Sequence, residues 1–270
     1  MSQRSEKVVV DRATCIGKVI APILPGRRKA PLIAVKIGGK PYRMLLDTGG
    51  QGGRISEDVA KALGLQPIGE VRAGDPSGKN SQRLFLYKIP EIVIGNAHLY
   101  GVRMIGSKGR DHGVDSDGVL GTNAFGDLLV TLDFPRKQIE IENGSLPSDS
   151  MPYRVLNGVP ALTVEVGKVK IDAHVDSGSD GGLMIPLSYQ DQLPLAEKPH
   201  VVGHARSLFN DFDIYAAKLN GKVKIGGVPF DITTVEMHNA FPMGNIGGRV
   251  LQNYAVTIDR KNKRIRFKKG

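Results

Sequence analysis

Hydrophobic and polar positions along this chain group into short, mainly apolar stretches broken by glycine, proline, asparagine and aspartate. Stretches of that kind, rich in Val, Ile and Leu, predict strands joined by tight turns. Pro31 to Ile37 reads as a strand, Gly38-Gly39 as a turn, and Tyr42 to Leu46 as a second strand ending at Asp47. A loop almost without side chains follows, Gly49-Gly50-Gln51-Gly52-Gly53. Ser56 to Leu65 predicts a short helix with Ser56 as N-cap, Glu57 and Asp58 in its first turn and Gly64 as its stop. Val71 to Ile89 predicts a long hairpin with its tip at Gly74 to Gly78. Glu91 to Ile94 and Leu99 to Ile105 form another around Gly95-Asn96. Ser107 to Asp117 reads as an exposed loop. Gly118 to Gly121 leads to a short helix reaching Leu128, and Leu129 to Leu132 closes on Gln138 to Ile141.

The plan then returns. Ala161 to Val166 and Val169 to Val175 are strands, the second ending at Asp176. Gly178-Ser179-Asp180-Gly181-Gly182 is again a glycine-rich loop. Pro186 to Leu193 is the place for the short helix, and His200 to Ile214 for a second flap. Lys222 to Ile225 and Phe230 to Val235 mirror the earlier hairpin around Gly226-Gly227. Asp47 and Asp176 lie 129 residues apart, and Asp133 and Asp259 lie 126 apart. Gly121 precedes Asp133 by 12 residues, as Gly247 precedes Asp259 by 12. This spacing predicts an all-β chain of two similar lobes: a lead-in over 1–30 with an added edge strand or hairpin, a first lobe over 31–145, a linker over 146–152 and a second lobe over 153–270. A many-unit solenoid would need several shorter repeats.

Two stretches carry chemistry. Met44 to Gly49 reads Met-Leu-Leu-Asp-Thr-Gly, and Ala173 to Gly178 reads Ala-His-Val-Asp-Ser-Gly. Each brings an apolar strand to a carboxylate at a turn made of small residues. One such triplet is weak, since Asp and Gly are ordinary turn formers; two at matched places are strong. Two carboxyls held close cannot both ionise easily, so the pair shares one proton and can serve as base and acid for water attack on an amide. Asp47 and Asp176 are therefore the candidate catalytic pair. Gly49 and Gly178 allow the close approach, and Thr48 and Ser177 are short hydroxyls able to bond across the junction. Strand alternation puts Leu45 and His174 on the aspartate face.

These triplets, with Val119-Leu120-Gly121 and Asn245-Ile246-Gly247 behind them, resemble the aspartic peptidase superfamily, and in detail its retropepsin-like branch. The resemblance covers roughly residues 31 to 270. It implies a bilobal acid-protease fold with short helices and a cleft between lobes. Retroviral members pair two chains with one triplet each; here both triplets lie in one chain, so a monomer with internal pseudo-two-fold symmetry suffices. The resemblance also implies that Leu45, Gly50, Gln51, His174, Ser179 and Asp180 meet a peptide or protein substrate. Ser179 and Asp180 follow the family pattern, while Gly50, Gln51 and Asn245 depart from it. An endopeptidase is the leading expectation. A peptide-binding protein of the same fold without turnover is the alternative.

Composition adds little to this reading. A 40% apolar content supports a real core, and 34 Gly with 16 Pro suit many turns. The net charge of +10 includes seven Lys and Arg between Arg260 and Lys269, punctuated by Ile265 and Phe267 as in a terminal hairpin with a basic wet face. No aromatic-interleaved basic motif predicts nucleic-acid recognition. His200 and His204 have helical spacing for a metal, but Gly203 and the intervening valines oppose a helix, so neither metal nor cofactor is expected. Cys15 is the single cysteine, which excludes an intrachain disulfide. No apolar run approaches the roughly 18 residues of a membrane span. The expected compartment is periplasmic or secreted if a leader has been removed, otherwise cytoplasmic.

Overall fold

The computed structural model describes residues 9–26, 30–74, 81–108, 115–206 and 211–270. The expected tip of the first long hairpin, most of the 107–117 loop and residues 207–210 of the expected second flap fall outside them. Strands dominate and fall into three sheets.

The strand carrying the first aspartate, Lys40–Asp47, buries Tyr42, Met44 and Leu46 on one face, the alternation expected of a half-buried strand. It pairs antiparallel with Leu32–Ile37 and parallel with Gly118–Gly121, which sets Asp47 opposite Gly121. Gly53–Ser56 joins the same sheet, antiparallel to Gly118–Gly121 and parallel to Ala97–Ser107. In the second half, Val169–Val175 runs antiparallel to Val159–Val166 and parallel to Gly244–Ile246. Leu183–Pro186 lies antiparallel to Gly244–Ile246 and parallel to Thr234–His238. The two halves thus use the same sequence of parallel and antiparallel pairings around their aspartates. Each encloses its own core: one cluster includes Met44, Leu46, Ile55, Leu120 and Phe125, and the other Val164, Val175, Ile185, Met237 and Ile246. Phe134 packs against both.

A six-stranded sheet joins the halves, in the order Met151–Pro152, Arg264–Lys269, Tyr254–Asp259, Leu129–Asp133, Gln138–Glu142, Lys18–Pro22. At its centre Thr131 pairs with Thr257, and their hydroxyls meet at 2.8 Å. Asp133 accepts the Arg136 N–H at 3.1 Å and Asp259 the Asn262 N–H at 3.0 Å, so both carboxyls close the turns that follow them. Asp259 also takes the Leu146 N–H at 2.8 Å, and Met151 pairs with Ile265, so the expected linker is tied to this sheet at both ends.

Several local expectations need adjustment. The lead-in strands, Arg12–Cys15 and Lys18–Pro22, pair with Ala97–Ser107 and Gln138–Glu142, so the expected added edge takes the form of two edge strands on different sheets, not one hairpin. The first helix spans Glu57–Ala62, and Ser56 makes no side-chain cap bond. Ser56 ends a strand, where its N–H donates to the Asp117 carbonyl and its hydroxyl is buried. The second expected helix is a 3-10 turn over Leu187–Gln192, with Pro186 still in the strand. The expected strand from Phe230 to Val235 is broken into Val228–Phe230 and Thr234–His238, which pair with different partners.

The central threonine pair gives a direct test. Thr131→Val leaves a buried Thr257 hydroxyl without its partner and should cost about 1–3 kcal/mol. Thr131→Val with Thr257→Val should recover part of that loss. Urea unfolding of the three proteins measures both steps, and a double variant no better than the single would exclude this pairing.

Candidate active site

The two aspartate turns meet at the junction of the halves. Thr48 N donates to Ser177 Oγ at 3.0 Å, and Ser177 N donates to Thr48 Oγ1 at 2.9 Å. Each hydroxyl then donates onward across the junction: Thr48 Oγ1 to the Val175 carbonyl at 2.6 Å, and Ser177 Oγ to the Leu46 carbonyl at 2.7 Å. Thr48 is 1% and Ser177 2% exposed, so these bonds are dry and every polar atom in the crossing has a partner. Either residue as alanine would strand a buried N–H on the opposite turn.

That crossing sets the carboxyls face to face. A Cβ on Gly49 would lie 2.5 Å from Asp176 Cγ, and one on Gly178 would lie 2.7 Å from Asp47 Cγ. Glycine is required here by space. Gly121 and Gly247 back the two loops: their N–H groups donate to the Gly52 and Gly182 carbonyls, and a Cβ on either would strike loop backbone at 2.4 Å. Asn123 Oδ1 accepts the Gly52 N–H at 2.8 Å, while Glu236 Oε2 accepts the Gly182 N–H at 2.9 Å and pairs with Arg249. The loops are bare of side chains, yet both are pinned from behind.

Asp47 and Asp176 hydrogen-bond to one another, and the Asp47 carboxyl is pushed up to about 7. Burial contributes most, then the charge of Asp176; Arg54 and the Gly49 N–H pull the other way. Burial lowers the Arg54 guanidinium from its ordinary value, against the opposing charge of Asp47. His174 is also lowered, chiefly by burial, with Asp176 and a bond to the Leu156 backbone opposing, and its Nε2 is buried without a partner.

The residues singled out from the sequence are placed as follows. Asp47, Thr48, Gly49, Asp176, Ser177 and Gly178 converge as described. Gly50 flanks Asp47, where an added Cβ would lie 3.0 Å from Asp47 Oδ2. The Ser179 N–H donates to Asp176 at 3.1 Å, and its hydroxyl takes the Gly181 N–H at 3.2 Å. Gln51 reaches into the second half and donates to the Asn157 carbonyl, so its side chain ties the loop to the Asn157-Gly158 turn. Asp180 is exposed. Leu45 has the orientation that alternation requires, but it is 4% exposed and packed with Ala30, Leu32 and Val119 under Leu24. His200 and His204 lie on a strand, His204 meets Asp213 at 2.5 Å, and no group of three or more potential metal ligands occurs among the described residues.

Two neighbours of the pair escaped sequence reading. Arg54 sits on Gly53–Ser56 and acts on Asp47 by charge. Asn245 donates from Nδ2 to Asp176 Oδ2 at 2.8 Å. The signal for Asn245 was its departure from the apolar residue expected there; Arg54 left no comparable mark.

Residues 33–124 match a family model described as aspartyl protease. That stretch holds Asp47, its glycine loop and Val119-Leu120-Gly121, so the first half of the chain is similar to the aspartyl proteases around its aspartate. The matched family is one of peptide-bond hydrolases. A search of curated proteins finds no match. No helix among the described residues is long and apolar enough to cross a membrane.

The raised Asp47 carboxyl has a consequence for stability. Its folded value of about 7 stands above the ordinary 3.8, so the native state holds a proton more tightly than the unfolded chain. Stability from this group is full at pH below the ordinary value and is lost as pH rises through the folded one. Asp47→Asn should flatten that decline and melt at a higher temperature than the parent at neutral pH, in thermal scans taken across this pH range. A parent and variant that decline in parallel would show that Asp47 is not the group responsible.

Proposed function

We propose that this chain is a single-chain aspartic endopeptidase in which two duplicated, retropepsin-like lobes each supply one catalytic carboxyl. The observation that carries the reading is the hydrogen-bonded contact of Asp47 with Asp176 between two glycines that leave no room for anything larger. The matched strand pairings and the symmetric threonine contact in the shared sheet support the duplication. A monomer follows, because both triplets lie in one chain.

In this reading the two carboxyls hold one proton between them. Repulsion between like charges and a low-polarity surrounding make the doubly ionised state unfavourable, which is the direction seen at Asp47. The ionised partner takes a proton from a water molecule, whose oxygen attacks the scissile carbonyl carbon. The protonated partner gives its proton to the carbonyl oxygen as the C=O π bond opens. The carboxyl that gained the water proton then delivers it to the amine nitrogen; as the C–N bond breaks, one hydroxyl of the tetrahedral diol gives its proton to the other carboxyl, its C=O bond re-forms, and the pair returns to one shared proton. Thr48 and Ser177 hold the carboxyls in place through the crossing, and Gly49 and Gly178 permit the approach. Gly50, Ser179 and Asp180 line the substrate path beside the pair, His174 forms its wall, and Leu45 supports the site from the packed layer beneath.

A pair that works as one unit should fail as one unit. Asp47→Asn and Asp176→Asn should each lower cleavage of an unstructured protein substrate by roughly a hundredfold or more. A statine-type transition-state mimic should block the parent. Cleavage surviving both substitutions would sink the proposal. Tight peptide binding with no cleavage from acidic to neutral pH would favour a binding protein on the same scaffold.

A further inference from the structure

The two carboxyls are not supported alike. Asp176 accepts three N–H donors: Gly178 N at 2.9 Å and Ser179 N at 3.1 Å on Oδ1, and Asn245 Nδ2 at 2.8 Å on Oδ2. Asp47 accepts the Gly49 N–H at 2.8 Å and no side-chain amide among the described residues. The amide is the telling difference. Asn245 stands beside His174 on Gly244–Ile246, and the matched place beside Leu45 on Gly118–Gly121 is Val119. A valine therefore satisfies the fold at this position. The asparagine brings a penalty that valine avoids, because its Oδ1 is buried with no partner. Its NH2 group faces Asp176, and that is the one orientation in which an amide bonds to the ionised form of a carboxyl.

We propose that Asn245 is a positioning residue that decides which member of the pair is ionised, holding the negative charge on Asp176 and leaving the shared proton on Asp47. The proposal rests on the peptidase reading and assigns the two roles left open there. Asp176 takes the proton from water while the water oxygen bonds to the carbonyl carbon. Asp47 gives its proton to the carbonyl oxygen as that oxygen receives the π electrons. Hydrogen bonds made to the charged form stabilise it, and three donors outweigh one.

Other charged or titratable neighbours act on the pair from the surrounding strands. Arg54, on Gly53–Ser56, favours ionisation of Asp47 and so opposes the assignment. Burial of His174, on the strand leading to Asp176, disfavours its charged form, while the Asp176 charge and a bond to the Leu156 backbone oppose that effect.

Carboxyl titration by carbon-detected NMR separates the two groups when one is removed. In Asp47→Asn protein, adding Asn245→Val should raise the Asp176 midpoint by about one pH unit, a tenfold change in its proton equilibrium. In Asp176→Asn protein the same substitution should leave the Asp47 midpoint in place. Asn245→Leu serves as the second variant should valine fail to fold. In the intact pair, Asn245→Val should move the acid limb of the kcat/KM profile to higher pH. An unmoved Asp176 midpoint, or an equal movement of Asp47, overturns the assignment. These titrations need no substrate, so failure of the role assignment is distinct from failure of the peptidase reading, which would appear as undiminished cleavage in both aspartate variants.

Discussion

Four hydrogen bonds cross between the aspartate turns, and every other feature of the site depends on them. Thr48 and Ser177 each offer an N–H and a hydroxyl to the opposite turn, and each hydroxyl both accepts and donates. Longer polar side chains could not make this exchange in the space available. The triplet is thus a joint, and its small residues follow from the short distance between the turns. The hydroxyls fix the approach, the glycines permit it, and the carboxyls are brought into contact as a result. Placing like charges together has a cost in stability at neutral pH, and the rest of the fold must offset it.

That offset comes from layers that pin the joint from both directions. Below it, the six-stranded sheet ties Leu129–Asp133 to Tyr254–Asp259, while Phe134 packs against both cores. Behind it, Gly121 and Gly247 close on the loops with backbone bonds that leave no space for a side chain. The two loops are then fastened by different chemistry, Asn123 in the first half and the Glu236–Arg249 pair in the second. Backbone pairing around the two aspartates follows the same order, whereas the side chains that finish each turn differ. The two carboxyls thus sit in different surroundings on similarly paired strands.

Sequence reading recovered the backbone plan because that plan is written locally. Gly38-Gly39 and Gly95-Asn96 announce turns, apolar runs announce strands, and the spacing of Asp133 and Asp259 announces matched closing hairpins. The triplets are legible for the same reason, since each is a contiguous run of residues. Sequence reading failed where a residue's role is set by a partner far along the chain. Ser56 has the composition of a helix cap, but strand pairing with Ser107 fixes its backbone and buries its hydroxyl. Leu45 has the orientation of a cleft residue, but Leu24 bridges to Leu32 and covers that layer. Gln51 stands where a substrate contact was expected, and the Asn157-Gly158 turn of the other half claims it. Arg54 offered no pattern, since a lone arginine on a short strand has no local signature.

Asn245 marks the boundary between the two kinds of information. Its place in the chain is legible, because Ile246-Gly247 repeats Leu120-Gly121 and identifies the position. Its effect is not, because it depends on which way an amide turns toward a carboxylate 69 residues earlier. A polar residue that breaks an apolar pattern usually has a partner or a function to account for its burial. Here one end of the amide has Asp176 and the other end has nothing among the described residues. A group retained only for packing would not keep a buried acceptor unsatisfied where valine fits. The direction of that imbalance, toward the carboxylate, argues that this half of the scaffold departs from its counterpart in order to make two identical acids unequal.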